Sequence, residues 1–418
     1  MNILVLGSGG REHAICKSLK KSPLLKKLWC LPGNAGTYKL CNKSSITNLE
    51  FDNILNFCKK KKIDLVIPGS EDYLEAGITD YLNIEGINVL GPTKEAAKLE
   101  SSKIYTKKIC NLANIKTAKW KLFNNSNSAL KNIKNEKFPI VLKMDGLAAG
   151  KGVFIAKSFE EASVFLSNIN KGLIGDKHSK ILQEEVLLGE EASFFFMVDG
   201  DNAKYIGSAK DYKREGEKNT GLNTGGMGSV SPSPLESKKN INIILKKIII
   251  PTLKCMNQNG YPFKGVLYAG LMFTKKGIYL IEYNVRLGDP ECQSILARLK
   301  TDFLKICKYT INGEINNIRI TLDNKSSICV ILASNGYPKK YSKNIPLKFL
   351  KELDDEPNII VYHAGTKFDK YRNIVSNGGR VLGLLVKKTN IKDAQKTIYK
   401  IIDKIKLKNL FYRNDIGS

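Results

Sequence analysis

The ten residues Lys143-Met144-Asp145-Gly146-Leu147-Ala148-Ala149-Gly150-Lys151-Gly152 set three glycines among two lysines directly after an apolar run. Backbone of this kind can close over an anion, because its N–H groups approach without a Cβ in the way. The stretch is not a P-loop. That motif needs GxxxxGK[ST] between strand and helix, whereas only three residues separate Gly146 from Gly150, and Val153–Ala156 continues as a strand. The pattern implies a hairpin with a glycine tip: either a plain flexible turn, or a flap that folds over phosphates while Lys143 aims its ammonium at the α- and β-phosphates.

Four other segments hold residues with a capacity for chemistry. Gly7-Ser8-Gly9-Gly10-Arg11-Glu12-His13 follows a strand, so it is either a tight strand–helix turn or an anion site at a helix N-terminus. Glu12 stands where a dinucleotide fingerprint needs glycine, and the second strand, 28–31, does not end on an acidic residue, which disfavours NAD. Glu184 and Glu185 end an apolar strand and Glu191 follows shortly after. These glutamates are either solvated or recognise an adenine amino group and ribose hydroxyls, with the backbone of Val186 and Leu187 completing the base contacts. Asp211-Tyr212-Lys213-Arg214 precedes a loop, 220–228, rich in Gly, Thr and Asn, a composition typical of segments that bind or cover a ligand. Glu282, Asn284 and Arg286 share one face of a strand by its period of two. That face is either open to solvent or holds Mg²⁺ against nucleotide phosphates beside an anionic substrate.

The elements that must position these groups change character along the chain. Apolar runs at 3–6, 28–31, 63–67 and 89–90 alternate with helical segments at 12–20 and 51–58, which implies a parallel sheet with helices on its faces. A helix is expected from 94 to about 113, its buried face marked by Tyr105, Ile109 and Leu112. From 117 to 200 strands and hairpins are expected, at 140–143, 153–156, 181–183 and 193–198. Further on come a helix at 241–256 with Pro251 as a kink or boundary, strands at 269–273, 278–283 and 328–333, and a basic helix at 391–405.

Composition narrows the function. The chain has 418 residues, too many for one ordinary core, with 42% hydrophobic and 26% charged residues as in soluble globular proteins. No apolar run reaches the roughly 18 residues that span a bilayer, so no membrane partner is expected and the location is expected to be cytoplasmic. Nine scattered cysteines without a CxxC pair argue against disulfide frameworks and zinc, and three histidines leave little for a multi-histidine metal site. The net charge of +27 raises nucleic acid as a partner, but the excess is lysine spread through the chain. Its tightest run, Lys59 to Lys62, reads as a solvated helix end, so no nucleic acid is expected.

Taken together, GSGGREHA (7–14), PGNAGT (32–37), KMDGLAAGKGV (143–153), EEVLLGEEASFF (184–195), NTGGMG (223–228), IEYNVRLGDPE (281–291), HAGT (363–366) and NGGRV (377–381) resemble the ATP-grasp superfamily and, within it, the phosphoribosylamine–glycine ligase family. The resemblance runs over nearly the whole chain. It implies a multidomain α/β and α+β fold: an N-terminal parallel α/β domain over 1–106, a two-lobed ATP-grasp domain over 107–312 with a lid lobe at about 117–190, and a small α+β domain over 325–418.

The resemblance also implies roles. Lys103 and Lys143 would touch the phosphates of ATP, with 146–152, including Gly146, Gly150, Lys151 and Gly152, as flap. Glu184, Glu185, Val186, Leu187 and Glu191 would hold adenosine, and Glu282 and Asn284 would ligate Mg²⁺ or Mn²⁺. The substrate 5-phosphoribosylamine would lie near Gly9, Gly10, Asn34 and Glu71, with Lys367 and Arg380 on its phosphate. Arg286 would clamp the carboxylate of glycine, and Asp211 would orient nearby. A monomer is expected ahead of a dimer. The chain departs from the family pattern at Ser70, at Lys210, where glutamine is usual, and at Leu222, where proline is usual.

Overall fold

The computed structural model describes residues 1–42, 44, 46, 49–147 and 152–418. Four parallel strands open the chain, in the order Lys27–Pro32, Asn2–Gly7, Leu65–Pro68, Asn88–Val89. Ile3, Leu4, Val5 and Leu6 are all 0% exposed, which explains the unbroken apolar run: both faces are covered, so neither carries polar residues. The segments after the first three strands, 7–10, 33–36 and 69–71, leave at the same carboxyl edge, where open α/β sheets bind ligands.

The expected single helix at 94–113 is two, Lys94–Ser101 and Lys103–Leu112. Ser102 breaks it by turning extended, and its hydroxyl accepts from Tyr105 N at 3.1 Å as a new N-cap. Ile109 is buried as expected, but Leu112 is 70% exposed and Tyr105 only half-buried, while Ile104, Thr106, Lys107 and Cys110 complete the buried face. The helix restarts at 103, and its inner face follows 104, 106–107 and 109–110.

A four-stranded antiparallel sheet follows, in the order Trp120–Phe123, Ile181–Glu185, Ile140–Met144, Val153–Ala156. Helices Ser126–Ile133 and Phe159–Asn170 cover one side, two elements that the expectation of strands and hairpins did not include. The longer one buries Ala162, Phe165, Leu166 and Ile169, a helical i, i+3, i+4, i+7 stripe.

The largest sheet has nine strands. Along its path lie Gly277–Asn284, Lys264–Thr274, Glu190–Asp199, Ala203–Asp211, Gly228–Ser231, Ser326–Ser334, Arg380–Lys388 and Ile359–His363. Phe194 and Phe196 pack in one apolar cluster and Phe195 in another, so this strand is buried on both faces. The strands after residue 325 therefore extend the same sheet through the pair Gly228–Ser231 and Ser326–Ser334. The expected helix at 241–256 runs from Lys238 to Gln258 with a wider π-type turn at Leu245–Ile249, immediately before Pro251. Lys59, Lys60 and Lys61 form the last turn of the helix Phe51–Lys61, as expected of a solvated helix end.

Candidate active site

Lys143 and Glu184 sit on neighbouring antiparallel strands of the smaller sheet. Lys143 faces Leu182 directly, so Glu184 is its diagonal neighbour on the same face. The Lys143 ammonium lies 2.8 Å from Glu184 Oε2, and a second ammonium, that of Lys107, lies 3.0 Å from Oε1. Expected at adenosine, the Glu184 side chain instead lies between two buried lysines. Sequence reasoning missed Lys107, although its signal was present: it stands one helical turn after Lys103, on the same face. Lys103 donates to Gly146 O at 2.9 Å, tying the start of its helix to the glycine hairpin. Asp145 adds a second tie, accepting from Ile104 N at 3.1 Å and from Ser102 Oγ at 3.2 Å.

Of the flap, Gly146 has φ +99°, and Gly152 O accepts from Met144 N at 2.8 Å. Gly150 and Lys151 lie outside the described residues. Glu185 is exposed, and its carboxylate accepts from Lys119 N at 2.9 Å. Val186 and Leu187, half-buried, belong to the connection from the smaller sheet to the strand Glu190–Asp199.

The large sheet presents Glu191, Asp211 and Glu282, and the segment just after Asp211 adds Lys213. Lys213 Nζ lies 3.6 Å from both Glu191 Oε2 and Glu282 Oε1. Glu282 is opposite Gly270, where an added Cβ would stand 3.1 Å from Glu282 Cγ, so the glycine leaves the carboxylate room. Burial alone would raise the Glu282 pKa, but Lys213, Lys143, Lys103 and Arg286 together pull it below the usual carboxylate range. Of these four cations Lys213 pairs with the acid directly, at 3.6 Å, and the others act on it at longer range. Asp211 goes the other way: burial, then the charge of Glu291, pushes its pKa well up, and its Oδ1 is buried without a hydrogen-bond partner among the described residues.

Asn284 ends the strand that carries Glu282, and Arg286 lies just beyond it rather than on it. Arg286 still faces the same way, since its Nη2 donates to Asn284 Oδ1 at 3.2 Å. Glu282 and Asn284 offer two hard oxygens, and no cluster of three potential metal ligands occurs among the described residues. This donor set fits a Mg²⁺ or Mn²⁺ ion that keeps waters and takes its other ligands from phosphates. Arg286 also pairs with Glu71 (3.0 Å) and with Glu100 (2.7 Å), a carboxylate that sequence reasoning passed over. Burial is the main cause that pushes the Glu100 pKa up to about 7; Arg286 opposes it and Glu71 adds to it.

Towards the carboxyl edge of the parallel sheet, Gly9 and Gly10 open the helix Gly10–Leu19. A Cβ on Gly10 would stand 2.6 Å from Gln293 Nε2, and one on Gly9 would stand 2.7 Å from Glu12 Oε2, so this turn is packed as tightly as glycine allows. Asn34 is a staple in this region. Its amide donates to Ser8 O (2.8 Å) and His363 O (2.9 Å), and its oxygen accepts from Gly36 N and Thr37 N. Arg380 bonds the backbone carbonyls of Gly225 and Asp289 and lies 3.3 Å from the Asp289 carboxylate, joining the glycine loop to the 288–291 turn. Lys367 is exposed on the hairpin Thr366–Phe368 and Ile374–Ser376. Of the departures from the family pattern, Ser70 caps the helix Glu71–Ala76, Lys210 stacks its ammonium 5.2 Å from the Tyr212 ring centroid, and Leu222 is 42% exposed.

Three family models cover most of the chain. "Phosphoribosylglycinamide synthetase, N domain" matches residues 1–100, its "ATP-grasp (A) domain" matches 101–292 and its "C domain" matches 327–418. The chain is 42% identical over 419 residues to a phosphoribosylamine–glycine ligase of Caldanaerobacter subterraneus, covering 100% of both. It is 42% identical over 414 residues to the chloroplastic phosphoribosylamine–glycine ligase of Arabidopsis thaliana, covering 97% of this chain and 78% of that one. Among solved structures, that of a phosphoribosylamine–glycine ligase from Thermotoga maritima superposes with a TM-score of 0.86 at 32% identity, covering 100% of both chains. A biotin carboxylase from Campylobacter jejuni shares the fold alone, at a TM-score of 0.70 and 16% identity over 100% of this chain and 94% of that one.

Proposed function

This chain belongs to the phosphoribosylglycinamide synthetase family, and from that premise we propose which of its residues carry out the family's reaction. The protein is an ATP-grasp ligase of purine biosynthesis: it joins glycine to 5-phosphoribosylamine, forming glycinamide ribonucleotide, ADP and phosphate. A carboxylate resists attack by an amine because oxide would have to leave. In the proposed path a glycine carboxylate oxygen attacks the γ-phosphorus and ADP leaves. The amine nitrogen then attacks the acyl carbon, and phosphate leaves with the proton that nitrogen loses.

The protein's contribution is position, charge and exclusion of water. Lys103 and Lys143 hold the phosphates under the flap 146–152, while Glu185, Val186, Leu187 and Glu191 receive the adenosine at the connection between the lobes. Glu282 and Asn284 would hold Mg²⁺ or Mn²⁺, which neutralises charge on the transferred phosphoryl group when bound. Arg286 takes the glycine carboxylate. Asp211, with its unpaired Oδ1, orients the incoming amine. Gly9, Gly10, Asn34 and Glu71 shape the sugar end, with Lys367 and Arg380 towards its phosphate. The observation that carries these assignments is geometric: Lys213 lies 3.6 Å from both Glu191 and Glu282, Arg286 donates to Asn284 at 3.2 Å, and Lys143 lies 2.8 Å from Glu184.

We further propose a cytoplasmic monomer that acts without nucleic acid. One chain supplies both lobes and the sugar end, so the cleft needs no second copy, and the phosphorylated substrates are water-borne. Among the described residues no helix is long and apolar enough to cross a membrane. The assay is ADP release with glycine and freshly generated 5-phosphoribosylamine. Release that requires both substrates supports the reading; release with another carboxylate or another amine in their place contradicts it.

A further inference from the structure

The trio Lys107, Glu184 and Lys143 sets two cations on one carboxylate. Lys107 is 2%, Glu184 4% and Lys143 5% exposed. An uncompensated positive charge where water scarcely reaches is costly, and it favours the arrival of an anion. The two lysines are tethered unequally. Lys107 also donates to Thr117 Oγ1 at 2.6 Å and to Ala118 O at 3.4 Å, so its ammonium is held by two further oxygens besides the ion pair with Glu184. Thr117 Oγ1 in turn donates to Leu280 O at 2.8 Å, on the strand that carries Glu282. Lys143, among the described residues, has the Glu184 contact alone.

We propose that Lys107 is a positioning residue: it keeps Glu184 neutralised and in place when the Lys143 ammonium turns from that carboxylate to the phosphates of ATP. The inference rests on the ATP site assigned above. Without Lys107, the departure of Lys143 would strand a buried carboxylate with no partner, so Lys143 would remain on Glu184 instead. Glu184 thus acts on the nucleotide phosphates through the lysines.

The test compares binding of magnesium AMP-PNP, and the KM values for ATP and glycine, in the wild type, Lys107→Met, Glu184→Gln and the double variant. Lys107→Met is expected to weaken AMP-PNP binding and raise the KM for ATP by about tenfold or more, with the KM for glycine within about twofold. Adding Glu184→Gln should restore most of that loss, because no buried anion then holds Lys143; a merely structural role for Lys107 would leave the double variant no better. Glu184→Gln alone, which does not depend on whether Lys107→Met folds, should bind AMP-PNP at least as tightly as the wild type. Unchanged nucleotide affinity in Lys107→Met, a double variant without recovery, or a roughly tenfold loss in Glu184→Gln overturns the proposal. A wild-type chain that does not bind AMP-PNP contradicts the ATP site itself, and so is told apart from failure of the role of Lys107.

Discussion

Arg286 meets three oxygen-bearing side chains, Glu71, Glu100 and Asn284, so in its proposed role a glycine carboxylate would compete with them. The sign of the pH effect follows from Glu100. Its pKa is raised to about 7, with burial as the main cause, so below about pH 7 it is a neutral acid and above it a carboxylate that holds Arg286. The KM for glycine should therefore rise as pH increases through 7, and Glu100→Gln should flatten that rise; a profile unchanged by the substitution contradicts the competition. Lys143→Ala or Glu282→Ala should lower kcat for ligation by roughly a hundredfold or more while thermal unfolding still reports a folded protein. Near-normal turnover in either refutes its role. Glu282 and Asn284 stood out in the sequence because polar groups on one strand face are costly in a dry core, and Arg286, though beyond the strand, keeps their spacing of two. Glu100 did not, because a single charged residue inside an amphipathic helix looks like its solvated neighbours until burial is known, and Lys107 carried only its spacing of four from Lys103 as a signal. Glu184 was found by its odd place at the end of an apolar strand, but only the register beside Lys143 reveals its partners.

At the scale of elements, the segment 413–417 holds the loop that carries Asp211 and Lys213. Arg413, 1% exposed, pairs with Asp415 through Nε and Nη2 at 2.7 Å and donates to Arg214 O at 3.0 Å, and its guanidinium lies 5.2 Å from the Tyr212 ring centroid. Arg413→Ala removes one partner of a largely buried pair, so denaturant unfolding should show a loss of roughly 3 kcal/mol. A loss within about 0.5 kcal/mol, the range of ordinary surface substitutions, would contradict this role. Apolar runs between glycines and prolines located most strands, since burial on both faces leaves a plain signal. The break at Ser102 was not legible: both halves have helical composition, and the competing N-cap depends on the Ser102 hydroxyl and on Asp145, distant in sequence. The helix Phe159–Asn170 did carry a 3.6-residue stripe, hidden between strands that dominated the local pattern.

On the scale of the whole molecule, the first and last thirds of the chain meet at His13 and His363. His363 N donates to His13 Nδ1 at 2.8 Å, which requires that nitrogen to be unprotonated, and the rings lie 5.5 Å apart. Burial is the first cause that lowers both pKa values, with His363, Lys17 and Lys39 adding to it at His13, and Lys39 and Lys17 at His363, which falls to about 4. Because the folded state binds these protons less readily than the ordinary value of 6.5, their contribution to stability is present above pH 6.5 and lost as pH falls towards 4. The unfolding temperature should drop across that window, and His363→Gln should reduce the slope; a slope identical to that of the wild type counts against the junction as its source. Which strands continue into the nine-stranded sheet could not be read from the chain, because pairing between Gly228–Ser231 and Ser326–Ser334 is set by tertiary packing. In the proposed reaction ATP converts the glycine carboxylate into a mixed anhydride. Turnover of glycine labelled with ¹⁸O in its carboxylate tests this directly. One labelled oxygen should be carried into each phosphate released; phosphate free of label would contradict an acyl phosphate intermediate.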